Sequence, residues 1–117
     1  MLLVDDESAV RRYTMSLLEA LGYSVISEPD GPSAIRTIGE RGDDIALVLL
    51  DLIMPQMDGF ETFEQIKRLN PSLPVVLTSG YDDERLPSRF ADIGFSGFLQ
   101  KPYQTEPLVR ILDGAKV

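Results

Sequence analysis

Four short pieces of the chain pair a reactive side chain with a preceding run of strand-forming apolar residues. Asp5-Asp6 follow Leu2-Leu3-Val4, and Asp51 follows Ile45 to Leu50. Ser79 closes a segment begun by Val75-Val76-Leu77, and Lys101 comes just after Phe98-Leu99. In an open parallel sheet, ligands bind beyond the carboxyl ends of the strands, where the strand order reverses. Three carboxylates, a hydroxyl and a lysine gathered at such an edge make a site for a divalent cation and a phosphoryl group. Carboxylates brought that close repel one another; a hard cation relieves this, and Mg²⁺ takes carboxylate oxygens while keeping several of its waters. Asp51 is the candidate nucleophile, because a carboxylate can accept a phosphoryl group as an acyl phosphate. Lys101 is placed to neutralise phosphoryl charge as it develops. Ser79 can donate to a phosphoryl oxygen, and Thr78 is its rival, since adjacent strand residues face opposite ways.

Each residue also has a plainer use. Asp5 or Asp6 can cap the first helix, Asp51 can end a strand, Ser79 can start a turn with Gly80, and lysines are ordinarily solvated. Asp58-Gly59 reads as a turn before a helix. It is the convergence of several such pieces that favours a functional site over separate structural roles.

Five strand-like runs alternate with amphipathic stretches. A helix is expected from about Ser8, with Val10, Thr14, Leu17, Leu18 and Leu21 on one face, stopped by Gly22. Ser24 to Glu28 reads as the second strand, and Asp30-Gly31-Pro32 as the turn into a helix with Ala34, Ile35 and Ile38 inward, closed by Asp43-Asp44. The third strand, Ile45 to Leu50, is apolar throughout, as a strand buried on both faces should be. Phe60, Phe63, Ile66 and Leu69 face inward on the third helix, which Asn70-Pro71 ends. A fourth strand ends at Ser79. Pro87 interrupts the fourth helix, between 82 and 93, and delays its start. Gly97 to Gln100 is the fifth strand, and a last helix carries Leu108, Ile111 and Leu112. Five βα units predict an α/β fold, a doubly wound parallel sheet with helices on both faces.

The 117 residues suffice for one domain. A net charge of −8 argues against nucleic-acid or direct membrane-surface binding. No run is long enough to span a membrane, and no basic leader precedes the first strand. The chain has no cysteine, which excludes thiolate sites, and no histidine, so any phosphohistidine chemistry needs a histidine elsewhere.

With these pieces in place, the chain resembles the receiver domains of two-component response regulators. The resemblance rests on Leu3-Val4-Asp5-Asp6-Glu7, Leu50-Asp51-Leu52-Ile53-Met54-Pro55 with Met57-Asp58-Gly59, Leu77-Thr78-Ser79-Gly80, and Gly97-Phe98-Leu99-Gln100-Lys101-Pro102, four pieces in order over essentially the whole chain. It implies a flavodoxin-like receiver fold with strand order 2-1-3-4-5. It makes Asp51 the phosphoacceptor, Ser79 and Lys101 its phosphoryl-binding partners, and Ser79 with Phe98 the switch pair. Asp6, Asp51 and the Ile53 carbonyl would ligate Mg²⁺, with Asp5 acting through water. The phosphoryl donor would be a histidine kinase or a histidine phosphotransfer protein, within a cytoplasmic phosphorelay. Such a domain is not an enzyme acting on an outside substrate, although it promotes its own phosphorylation and dephosphorylation.

On phosphorylation, Ser79 would be drawn to the phosphoryl group and Phe98 would turn inward. That would remodel the surface of the fourth helix, fifth strand and fifth helix, which controls a partner or an output domain and is where receivers form homodimers. The bulky Ile53 and Tyr81 are expected to shield the acyl phosphate from water. Residues 1–117 read as a single receiver domain cut from a longer chain. The Ser79-Gly80-Tyr81 and Lys101-Pro102-Tyr103 pieces look most like the receivers of hybrid sensor kinases, which would place this one on the cytoplasmic side of a membrane-bound kinase. A phosphatase of the haloacid dehalogenase type would need an acid where Ile53 stands. A flavin-binding protein of the same fold would need a phosphate loop where Asp5, Asp6 and Glu7 stand. A partner-binding receiver without phosphorylation is the third rival.

Overall fold

The structure, a computed structural model, describes residues 1–51, 59–79, 97–100 and 105–115; at 79, 97–100, 105, 107, 111, 114 and 115 the backbone alone is described. In chain order the elements are β1 (Leu2–Val4), α1 (Ser8–Ala20), β2 (Ile26–Glu28), α2 (Gly31–Arg41), a 3₁₀ turn (Gly42–Asp44), β3 (Val48–Asp51), α3 (Gly59–Leu69), β4 (Val75–Ser79), β5 (Gly97–Gln100) and a C-terminal helix (Thr105–Ala115). All strand pairs are parallel, and the five strands lie in the order β2-β1-β3-β4-β5. The chain steps outward from β1 to β2 and then crosses back to β3. The strand order therefore reverses between β1 and β3.

Side-chain alternation along the strands divides the core in two. Leu2, Val4, Val48, Leu50, Val75 and Leu77 pack against Ala34 and Ile38 of α2 and Phe63 and Ile66 of α3. Leu3, Leu49 and Val76 face the other way, against Leu18 of α1 and Leu108 and Leu112 of the C-terminal helix. Both faces are thus covered by helices, which explains why β3 tolerates no polar residue before Asp51. No described helix is long and apolar enough to cross a membrane.

Local chemistry sets the element ends. Asp30 caps α2, its Oδ1 accepting from the Ser33 N–H at 2.8 Å, with Pro32 in the first turn. That bond to the backbone, more than anything else, holds the Asp30 carboxyl below its ordinary pKa. At the far end of α3, Lys67 Nζ donates to the Leu73 carbonyl at 2.8 Å and lies over the Phe63 ring, 5.6 Å from its centre. Burial pushes the Lys67 pKa down, and the contact ties α3 to the segment entering β4.

The observed elements differ from the expected ones at several ends. β2 is shorter than Ser24 to Glu28, and β3 starts at Val48 rather than Ile45, although Ile45 and Leu47 are still buried. The Ile45 N–H closes the 3₁₀ turn on the Gly42 carbonyl, so the chain joins the sheet only after that turn. α2 ends at Arg41, and Asp43-Asp44 belong to the 3₁₀ turn. Leu21 and Leu69, expected inward, are exposed, Leu69 to 51%. The fourth expected helix, Pro87 included, lies outside the described residues.

Candidate functional site

The site is assembled where the sheet reverses. β1 hands the chain to Asp5-Asp6 and the neighbouring β3 ends on Asp51, so registered parallel pairing of Val4 with Leu50 brings the three acids to one edge. One carboxylate oxygen from each of Asp5, Asp6 and Asp51 lies within 4.8 Å of the others. Asp5 and Asp51 are buried, at 1% and 4% exposure, and Asp6 is exposed. Sequestering carboxylates is costly unless they are hydrogen-bonded or coordinated, and Asp5 is hydrogen-bonded.

Asp5 is held from several directions. Its N–H donates to the Glu28 carbonyl of β2 at 3.2 Å, and its Oδ1 accepts from the Glu7 N–H at 3.0 Å, just ahead of α1. That bond reaches the N-cap residue Glu7 and not an N–H of α1 itself, whose cap makes no side-chain hydrogen bond, so Asp5 closes the turn ahead of the helix rather than capping it. Its backbone carbonyl accepts a hydrogen bond from Arg11 Nη1 at 2.8 Å. No motif in the sequence singles out Arg11. The available signal is that a long cation one turn into α1 can reach back over the helix start to the end of β1.

Thr78 is the residue in register with Asp51. Aligned residues of neighbouring strands present their side chains to the same face, and Thr78 is 3% exposed. Its hydroxyl is nevertheless turned toward the Leu50 carbonyl, a long 3.5 Å hydrogen bond across the β3–β4 seam. Ser79 is one position nearer the site edge, in register with Gln100, and Phe98 pairs with Leu77. The side chains of Ser79 and Phe98 are not among those described. Ile53, Tyr81 and Lys101 lie outside the described residues altogether.

The donor set suits Mg²⁺. It is all hard carboxylate oxygen, two of the acids are shut away from solvent, and the exposed third leaves a side open to the waters that Mg²⁺ retains.

A doubly wound sheet with acids at its switch point defines an α/β flavodoxin-like receiver fold. The model of the response regulator receiver domain matches residues 1–113, and the chain belongs to that family, the receiver domains of two-component signalling. The chain is 33% identical over 108 residues to the sensor kinase CckA of Brucella abortus (strain 2308), covering 92% of this chain and 11% of that protein. It is 34% identical over 116 residues to the transcriptional regulatory protein YdfI of Bacillus subtilis (strain 168), covering 97% and 53% respectively. A crystal structure of a response regulator receiver domain protein from Clostridium thermocellum superposes with a TM-score of 0.91 at 26% identity, over 98% of this chain and 91% of that one. The chain spans from 11% to 53% of the length of these two curated relatives.

Proposed function

We propose that this receiver domain is a phosphoryl-accepting switch in which Asp51 takes the phosphoryl group of a phosphohistidine. The observation that carries this reading is the meeting of Asp5, Asp6 and Asp51 at the reversal point of the sheet. A carboxylate oxygen of Asp51 attacks phosphorus in line with the P–N bond. The new P–O bond makes an acyl phosphate, and the histidine nitrogen leaves with the bonding pair. Asp6, Asp51 and the Ile53 carbonyl would hold Mg²⁺, with Asp5 acting through water. Bound there, Mg²⁺ supplies positive charge that offsets the carboxylates and the phosphoryl oxygens. Lys101 neutralises phosphoryl charge from the β5 side, and the Ser79 hydroxyl donates to a phosphoryl oxygen.

The Ser79 contact exists only in the phosphorylated state, which is what a population shift requires. Phe98, one strand over, turns inward as Ser79 moves, and the surface of β5 and its flanking helices changes for a partner, an output domain or a second copy. The phosphoryl donor is a histidine kinase or phosphotransfer protein on the cytoplasmic side, since this chain has no histidine of its own. The similarity to CckA supports a receiver within a longer sensor kinase, and the similarity to YdfI supports one within a transcriptional regulator.

The test is intact-protein mass after incubation with Mg²⁺ and acetyl phosphate. Wild type is expected to gain one phosphoryl group, lost when Mg²⁺ is chelated, and Asp51→Asn to gain none. A wild type that gains nothing and shows no response to beryllofluoride with Mg²⁺ would be a partner-binding domain without phosphorylation.

A further inference from the structure

We infer that Arg11 is a positioning residue of the acidic site, holding the peptide between Asp5 and Asp6 so that all three carboxylates converge; this rests on the Mg²⁺ reading above. Arg11 Nη1 donates to the Asp5 carbonyl oxygen at 2.8 Å. That carbonyl belongs to the same planar unit as the N and Cα of Asp6, so fixing it restricts ψ of Asp5 and φ of Asp6 together. The other side of Asp5 is already tied down, through its N–H to Glu28 and its Oδ1 to the Glu7 N–H. Asp6 is the exposed member of the cluster and has no enclosing core to set its direction. The hydrogen bond from Arg11 supplies that restraint. Arg11 is itself rigidly based, half-buried in the first turns of α1, its own N–H bonded to the Glu7 carbonyl at 2.9 Å.

Two physical effects of Arg11 on a bound cation have opposite signs. A guanidinium near the acids repels a divalent ion, so charge alone predicts that neutralising Arg11 tightens Mg²⁺ binding. Positioning predicts that losing the donor loosens it, as loss of a group orienting a metal ligand commonly does by tenfold or more. The hydrogen bond ends on a backbone carbonyl that governs where Asp6 points, and positioning therefore wins.

The experiment is a Mg²⁺ titration of the full chain, read by backbone amide shifts of Asp5, Asp6 and Asp51, with thermal melts in the absence of Mg²⁺ as a check on folding. Arg11→Met, without donor or charge, is expected to bind Mg²⁺ about tenfold more weakly than wild type. Arg11→Gln, which keeps an N–H donor without the charge, is expected between the two. Should Arg11→Met fail to fold, Arg11→Gln carries the test, because binding tighter than wild type would show that only charge acts and would overturn the inference. Arg11→Met binding as tightly as wild type overturns it equally. A wild type with no amide response to Mg²⁺ would take down the Mg²⁺ reading and this role with it, whereas wild-type binding left intact in the variants would remove the role of Arg11 alone.

Discussion

At the scale of single residues, the proposed switch turns on which of two adjacent hydroxyls meets the phosphoryl group. Thr78 shares a face with Asp51 but spends its hydroxyl on the Leu50 carbonyl. Thr78→Val keeps the shape and loses one long hydrogen bond. It is expected to cost about 1 kcal/mol in denaturant melts and to leave phosphorylation by acetyl phosphate unchanged. Ser79→Ala is expected to do the reverse, keeping stability while abolishing the beryllofluoride-induced shift of the β5 amides. Phosphorylation lost in Thr78→Val with Ser79→Ala normal would exchange the two roles. Ile53→Asn is expected to shorten the lifetime of the acyl phosphate, because an amide at that position can guide water toward phosphorus and an isoleucine side chain cannot; the rate of phosphoryl loss after removal of the donor reads this directly. Asp30 offers a pH test away from the site. Its pKa is depressed in the folded state by the Ser33 N–H, so its contribution is complete above the ordinary carboxyl pKa of 3.8 and fades as pH falls through the depressed value. Asp30→Ala should therefore cost about 1 kcal/mol at neutral pH, with the gap to wild type narrowing in acid.

Elements show where a local signal is enough and where it is not. Gly22 ends α1 at φ +97°, with its N–H bonded to the Glu19 carbonyl and the Tyr23 N–H to the Leu18 carbonyl. Tyr23 then packs into the same cluster as Leu18, the hydrophobic contact that accompanies this type of helix end. An added Cβ at Gly22 would touch nothing within 4 Å, so Gly22→Ala should cost only the left-handed backbone penalty, about 1 kcal/mol by thermal melts. That stop was legible because glycine is the residue such a backbone calls for. The inward faces of Leu21 and Leu69 were misjudged for a geometric reason. An eleven- to thirteen-residue helix runs roughly 16–20 Å, whereas a three- to five-residue strand runs roughly 10–17 Å. Helix ends therefore overhang the sheet, and apolar periodicity cannot say where cover stops. The acids were legible because a carboxylate after an unbroken apolar run is conspicuous. Arg11 was not, because its hydrogen bond to the Asp5 carbonyl depends on tertiary placement.

For the whole molecule, the acidic edge sets stability against cation binding. The chain carries a net charge of −8, and three of its carboxylates are forced to within 4.8 Å, two of them buried. Their mutual repulsion is present in the folded state and largely absent in the unfolded chain, where the strands no longer bring them together. Asp51→Asn removes one of these charges with little change of shape. It is expected to raise the melting temperature in the absence of divalent ions, a gain of stability at the expense of the proposed acceptor. Mg²⁺ acts on the same term from the other side, stabilising the folded state by RT ln(1 + [L]/Kd). At ten times its Kd this amounts to about 1.4 kcal/mol, or a rise on the order of 5 °C for a domain of this size. Wild type should show that rise, and Asp51→Asn should start higher and show little of it, so the two melting curves converge as Mg²⁺ is added. If Asp51→Asn instead melts lower than wild type without Mg²⁺, the Asp51 carboxylate is already compensated inside the protein and repulsion is not what the cation relieves. Thermal melts of both chains across a Mg²⁺ series, with Ca²⁺ in parallel to separate coordination from simple screening, decide between these two cases.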